Sequence, residues 1–211
     1  PGPRPDDRLF AGHERFAFTL EFDQRAVFKE RKGESSYHPA VLEYRDTAGE
    51  QLRLDLQVKT RGHFRRDRET CNFPPLRLNF AREQTVGTVF AKQDKLKLVT
   101  HCRRSYEHLV VQEYLLYRVY NLLTQKSFRV RPVEITYVDS VGRRDPRSRY
   151  AFFIEDLEVM AERNGFTAVE EPVVSFASLD PEELSRVEVF QYMVGNTDWS
   201  VLRGPEGEGG C

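Results

Sequence analysis

Phe16, Phe18, Leu20 and Phe22 alternate with Arg15, Ala17, Thr19 and Glu21, the period of a strand with one buried face. Residues 40–46, the turn TAGE and residues 51–60, where Leu52, Leu54, Leu56 and Val58 alternate, predict a hairpin. Two more strands are predicted at 75–80 and 95–100, joined by a loop containing Gly87. The period then changes. Residues 107–123 contain no Gly or Pro and are apolar over more than half of a helical surface, which predicts the longest helix. Strands follow at 129–139 and 150–156, with a hairpin loop between them and Pro132 marking an edge position or a bulge. Residues 156–165 read as a short helix stopped by Gly165. A last helix, 181–194, opens on Asp180 as N-cap, Pro181 in the first turn and Glu183 as the far half of a capping box.

Strands, one long helix, two strands and then mostly helix make an α+β plan. Residues 9–155 form a β-rich N-terminal lobe carrying the helix 106–123, and 156–202 form a partial helical lobe. Residues 1–8 are linker-like, a mature end left by processing or a fragment boundary. Residues 203–211 are Gly-rich and read as a loop cut through.

Charge narrows the function classes. There are 32 basic and 33 acidic residues, a formal net charge of −1, so no global attraction to nucleic acid or an anionic membrane exists, although local patches do. No apolar run approaches the roughly 20 residues of a membrane-spanning helix. Cys71, Cys102 and Cys211 are too far apart for CxxC metal spacing. A Cys71–Cys102 disulfide in an exported protein and two unrelated buried thiols are equally compatible with the sequence.

One charge is out of place. On the long helix, Glu113 has Leu109, Val110, Leu116 and Tyr117 as its neighbours three and four residues away. A carboxylate there either reaches water at the edge of the apolar face or needs a cation. The preceding strand has Lys95 and Lys97 on one face, and a Lys97–Glu113 pair is the expected solution, with Lys95 as the alternative. A helix Glu holding a strand Lys is also how protein kinases fix a flexible ammonium on ATP phosphates.

The segments RGHFRR, FPPLRLNF, DKLKLV, YAFFIEDLE and QYMVGNTDWS, in that order over residues 9–202, resemble the spore-coat CotH kinase family. The resemblance implies a protein-kinase-like fold with an incomplete helical C-terminal lobe. It implies transfer of the ATP γ-phosphate to Ser or Thr of a protein substrate, with ATP and Mg²⁺ as cofactors. It further implies Lys97 on the phosphates, Glu113 holding it, Asp198 as catalytic acid/base and Glu155 in the ATP-side connector. Arg61 and Gly62 match the start of the family's RGN-like segment, but His63 replaces its Asn. Asn79 stands where the family often has a Lys, which shifts that contact to Arg77. No Asn or Asp follows Asp198 to ligate a metal, so a truncated, inactive copy is expected.

The run KTRGHFRRDR (59–68) reads first as a solvated hairpin end, next, by analogy with kinases, as a phosphate-covering loop, and least as a small nucleic-acid-binding surface. His101 and Cys102 are adjacent in sequence and point to opposite faces, which excludes a nucleophile pair. Tyr114, Tyr117 and Tyr120 read as packing residues. The rivals to the kinase are a pseudokinase-like binding scaffold and a nucleic-acid module. An extracytoplasmic or cell-surface location is favoured, and the oligomeric state is left open.

Overall fold

The computed structural model describes residues 8–169, 171, 173–197 and 199–202. Seven strands form a closed barrel in the order β1-β2-β3-β4-β5-β7-β6. They are β1 (Phe16–Phe22), β2 (His38–Arg45), β3 (Gln51–Thr60), β4 (Leu76–Phe80), β5 (Lys95–Val99), β6 (Val130–Asp139) and β7 (Arg147–Ile154). Six α-helices accompany them among the described residues: α1 (Arg8–Ala11), α2 (Gln24–Lys29), α3 (Arg82–Thr85), α4 (Glu107–Leu123), α5 (Leu157–Arg163) and α6 (Pro181–Met193).

The expected elements recur nearly residue for residue, but not the expected architecture. The plan of a kinase-like β-lobe followed by a helical lobe is overturned by closure of the sheet. β1 pairs antiparallel with β2 on one side and parallel with β6 on the other, with Phe16 opposite Val133 and Phe22 opposite Asp139. This second pairing removes the free edges that an open lobe would have. Asp198, Glu170, Pro172 and the two ends, including the linker-like start and the Gly-rich finish, lie outside the described residues.

Alternation explains the interior. Leu20, Leu42, Leu56, Leu78, Leu98 and Ile135 point inward and are buried. Aromatic rings fill the remaining width. Phe18 stacks on Phe153 at 5.6 Å between centroids, and Phe90 packs on Phe80 at 4.9 Å. Pro132 pairs opposite Phe152 on β7, one residue before the pairing of β6 with β1 begins at Val133, so its missing N–H costs the β1 ladder nothing.

α4 lies on the outside of the barrel. Val110, Tyr114 and Tyr117 pack on Val99, Val130, Phe152 and Ile154, so β5 and β7 are buried on both faces. Tyr120 instead meets Phe190 of α6, at 4.8 Å between ring centroids. All three tyrosines pack, as expected. At the end of β7, the fully buried Glu155 accepts from Arg163 of α5 at 2.9 and 3.0 Å and from the Arg129 amide at 3.0 Å. Arg163 also donates to the Gln125 and Ser127 carbonyls.

His101 closes one end of the core, with its ring on Phe73 at 4.7 Å and its Nδ1 buried without a partner among the described residues. Burial, helped by the nearby Arg149 charge, holds it down to about 4 from its ordinary 6.5. Above pH 6.5 both folded and unfolded chains carry a neutral ring. As pH falls toward 4 the unfolded chain takes a proton that the folded chain refuses, so stability is lost over that window. Urea unfolding should therefore lose about 2–3 kcal/mol through His101 between pH 7 and pH 4.5. A His101→Gln variant should lose that much less over the same interval. An identical pH slope in both proteins would refute this account of the ring.

Candidate functional site

The outer face of β3, β4 and β5 carries a row of cations. Lys59 pairs across from Arg77, and Arg77 pairs across from Lys97. Directly paired residues put their side chains on the same face, so three positive charges stand side by side on adjacent strands. Lys97, only 6% exposed, lies at the end of the row where α4 covers the sheet, because its neighbours Val99 and Ile154 pack on that helix.

The other end of the row opens into a cleft of about 810 Å³. Two loops and the strand face enclose it. Residues 31–35 bring Arg31, Lys32 and Gly33, residues 60–67 bring Arg61, Gly62, His63 and Arg66, and the strands add Lys59 and Arg77. Six Lys or Arg side chains face it, against Glu34 and Asp67. Gly33 and Gly62 adopt φ of +66° and +83°, and a β-carbon built at either meets nothing within 4 Å. Their role is therefore backbone conformation rather than room for a neighbour.

The loops are held largely by their own arginines, whose side chains donate to backbone carbonyls around the cleft. Arg31 donates to the carbonyls of Phe28, Arg66, Cys71 and Asn72 at 2.9–3.1 Å. Arg66 Nη2 reaches the Gly33 carbonyl, and Ser35 Oγ the Thr60 carbonyl, which ties one loop to the other. Lys59 Nζ sits 4.8 Å from the centre of the Tyr37 ring. Burial pushes the Tyr37 phenol up, and the Arg77 charge beside it pulls partly back. The Nε atoms of Arg66 and Arg77 are shielded from solvent and find no acceptor among the described residues. Two orphaned cationic donors are costly, and an oxyanion is the group that satisfies them.

A disulfide joins Cys71 to Cys102, closing the alternative that the sequence left open. It ties the end of the basic loop to the segment leading into α4. Two further links join the same segments. Arg103 donates to the Thr70 and Glu69 carbonyls, and Arg65 donates through both Nη atoms to Glu113 at 3.1 Å. The expected Lys97–Glu113 contact is thereby corrected, since the cation on Glu113 is Arg65. That pair is partly exposed, with side chains 42% and 31% accessible, so neutralising either member should cost little.

Of the residues singled out in the sequence, Arg61 and Arg77 meet in the cleft, and Lys97 continues their row beneath α4. Glu113 holds the basic loop in place from α4. Glu155 stands at the end of β7 with its carboxylate held by Arg163 and the Arg129 amide, away from the residues that line the cleft. Asp198 lies outside the described residues. Sequence reasoning missed Arg31, Lys32 and Gly33; the signal was a charged RKG between two elements, where a glycine at positive φ turns cations back over a strand. Among the described residues, no group of three or more His, Cys, Asp or Glu is placed to hold a metal ion. No described helix is long and apolar enough to cross a membrane. In comparisons with known proteins, the chain matches no family model, no curated protein and no solved structure.

Proposed function

We propose that this barrel binds a phosphate-bearing ligand, a nucleoside triphosphate such as ATP, with its phosphates beside Lys59 and Arg77 in the basic cleft and Lys97 behind them beneath α4. The observation that carries the reading is the cleft itself, where Lys59 and Arg77 stand in register on adjacent strands and three more arginines and Lys32 line the walls. The volume, about 810 Å³, falls in the range of small-molecule sites. The orphaned Nε atoms of Arg66 and Arg77 add donors that a phosphate oxygen would accept from. Arg77 would contribute a planar fork and Lys59 a point charge.

Transfer of the terminal phosphate to a Ser or Thr hydroxyl is proposed, on the sequence resemblance, for a form that also carries the metal-ligating Asn and Asp, with Asp198 orienting the hydroxyl. Mg²⁺ enters as the counter-ion carried by the triphosphate, and no step is assigned through it. The Cys71–Cys102 bridge supports a place outside the reducing cytoplasm.

Thermal melts test the binding. Millimolar ATP and inorganic tripolyphosphate should both raise Tm, and adenosine should not. At a ligand concentration a hundred times Kd the stabilisation is about 2.7 kcal/mol. Arg77→Gln should weaken binding at least about tenfold, near 1.4 kcal/mol. Affinity should also fall as salt rises. A Tm unmoved by every phosphate compound would overturn the proposal. In a form that carries the metal-ligating Asn and Asp, loss of phosphate transfer in Asp198→Asn, with ATP binding retained, would separate catalysis from binding alone.

A further inference from the structure

The wall of the basic cleft is a surface of hydrogen-bond donors. Lys32, Lys59, Arg61, Arg66 and Arg77 offer N–H groups and no side-chain acceptor. The carboxylates beside them are Glu34 and Asp67, and Asp67 Oδ1 already accepts from the Glu69 amide at 2.7 Å. Among the described residues the wall holds no Val, Leu, Ile, Met, Phe, Tyr or Trp side chain, and His63 is its one ring. Tyr37 is not part of the wall, and Lys59 Nζ already stands over its ring. Phe64 is exposed on the same loop, again outside the wall. A pocket for a flat organic ligand is ordinarily apolar with a few polar groups. A protein that reads a base stacks its face on a ring and matches both donors and acceptors along its edge. A phosphate chain carries acceptors almost alone, which is what a wall of donors fits.

We infer, resting on the phosphate reading above, that the cleft recognises a chain of linked phosphates and is blind to the base attached to it. Its ligand class is the polyphosphate chain itself, carried by a nucleoside triphosphate of any base or free as inorganic polyphosphate. The cations stand on three separate supports. Lys59 and Arg77 come from the strands, Lys32 from one loop and Arg61 from the other. A single phosphate reaches part of that set, and a chain of them spans it. Where a base does lie against the wall, it meets guanidinium planes, which stack on every base alike and so give no preference.

Calorimetric titration at one ionic strength tests it, with ATP, GTP, CTP, AMP and inorganic tripolyphosphate as ligands. The three nucleoside triphosphates should agree in Kd to within about threefold, and tripolyphosphate should bind at least as tightly as any of them. AMP keeps the base but one phosphate, and should bind at least about tenfold more weakly than ATP, the effect of one charge-assisted hydrogen bond lost. Arg77→Gln should weaken all three triphosphates and tripolyphosphate alike, and Phe64→Ala should change none of the affinities. ATP binding about tenfold or more tightly than CTP and tripolyphosphate would overturn the inference and leave the phosphate reading standing. A loss in Phe64→Ala confined to the nucleotides would do the same. No binding by any of the five compounds would overturn both.

Discussion

Arg163→Ala should destabilise the protein by about 3–5 kcal/mol, because it strands a fully buried carboxylate. Glu155 is 0% exposed, and the Arg163 side chain is 12% exposed. The pair is bidentate, and among the described residues its other hydrogen bonds are to backbone groups. It anchors α5 to the start of β6 and the end of β7, so the loss should appear as lower global stability with local opening of 155–166. Urea unfolding monitored by tryptophan and far-ultraviolet signals measures the first, and hydrogen exchange measures the second. The double variant Glu155→Leu with Arg163→Met should recover much of the loss, since an apolar pair leaves no charge to strand. A cost below about 1 kcal/mol for the single change would mean that the pair behaves like an exposed surface bridge.

Removing the disulfide by Cys71→Ala with Cys102→Ala should cost about 3–4 kcal/mol. The bridge spans 31 residues, and closing a loop of that size removes about that much chain entropy from the unfolded state. For a chain of this length the expected drop in Tm is roughly 10 °C. Addition of a reductant to the wild-type protein should produce the same shift. Phe73 N–H donates to the Cys102 carbonyl at 2.9 Å across the same junction, and Arg31 and Arg103 still grip the loop, so the basic cleft should survive the loss. A reduced protein that melts where the oxidised one does would show that the bridge adds no stability.

The strands and α4 were legible because each repeats its own period: Leu52, Leu54, Leu56 and Val58 every second residue, Val110, Tyr114 and Tyr117 every third or fourth. Closure into a barrel was not. β1 reads the same whether it is a sheet edge or, as here, parallel to β6 more than a hundred residues away. No local pattern encodes a pairing of that range. The kinase-like plan failed at this step, because correct elements in the correct order were assembled into the wrong topology.

The candidate site divides along similar lines. Strand parity put Lys97 on the face that α4 covers, and the structure agrees. The partner of Glu113 was not readable, because Arg65 sits on a short turn whose position depends on the Arg31 clamp and the disulfide. Arg61 and Arg77 could be named from the basic run and the resemblance. The other wall of the cleft, Arg31 to Ser35, became part of a site only when the sheet brought it beside the β3–β4 loop. Glu155 stood out as a charge after an apolar strand, but its partner Arg163 arrives only once α5 folds back.

Hydrogen exchange with and without saturating ATP tests the central claim most directly. Slower exchange confined to the amides of 31–35 and 59–67, and absent when Arg77 is replaced by Gln, is the predicted result. Protection elsewhere in the barrel, or none while ATP is bound, would contradict the assignment of this cleft as the phosphate site.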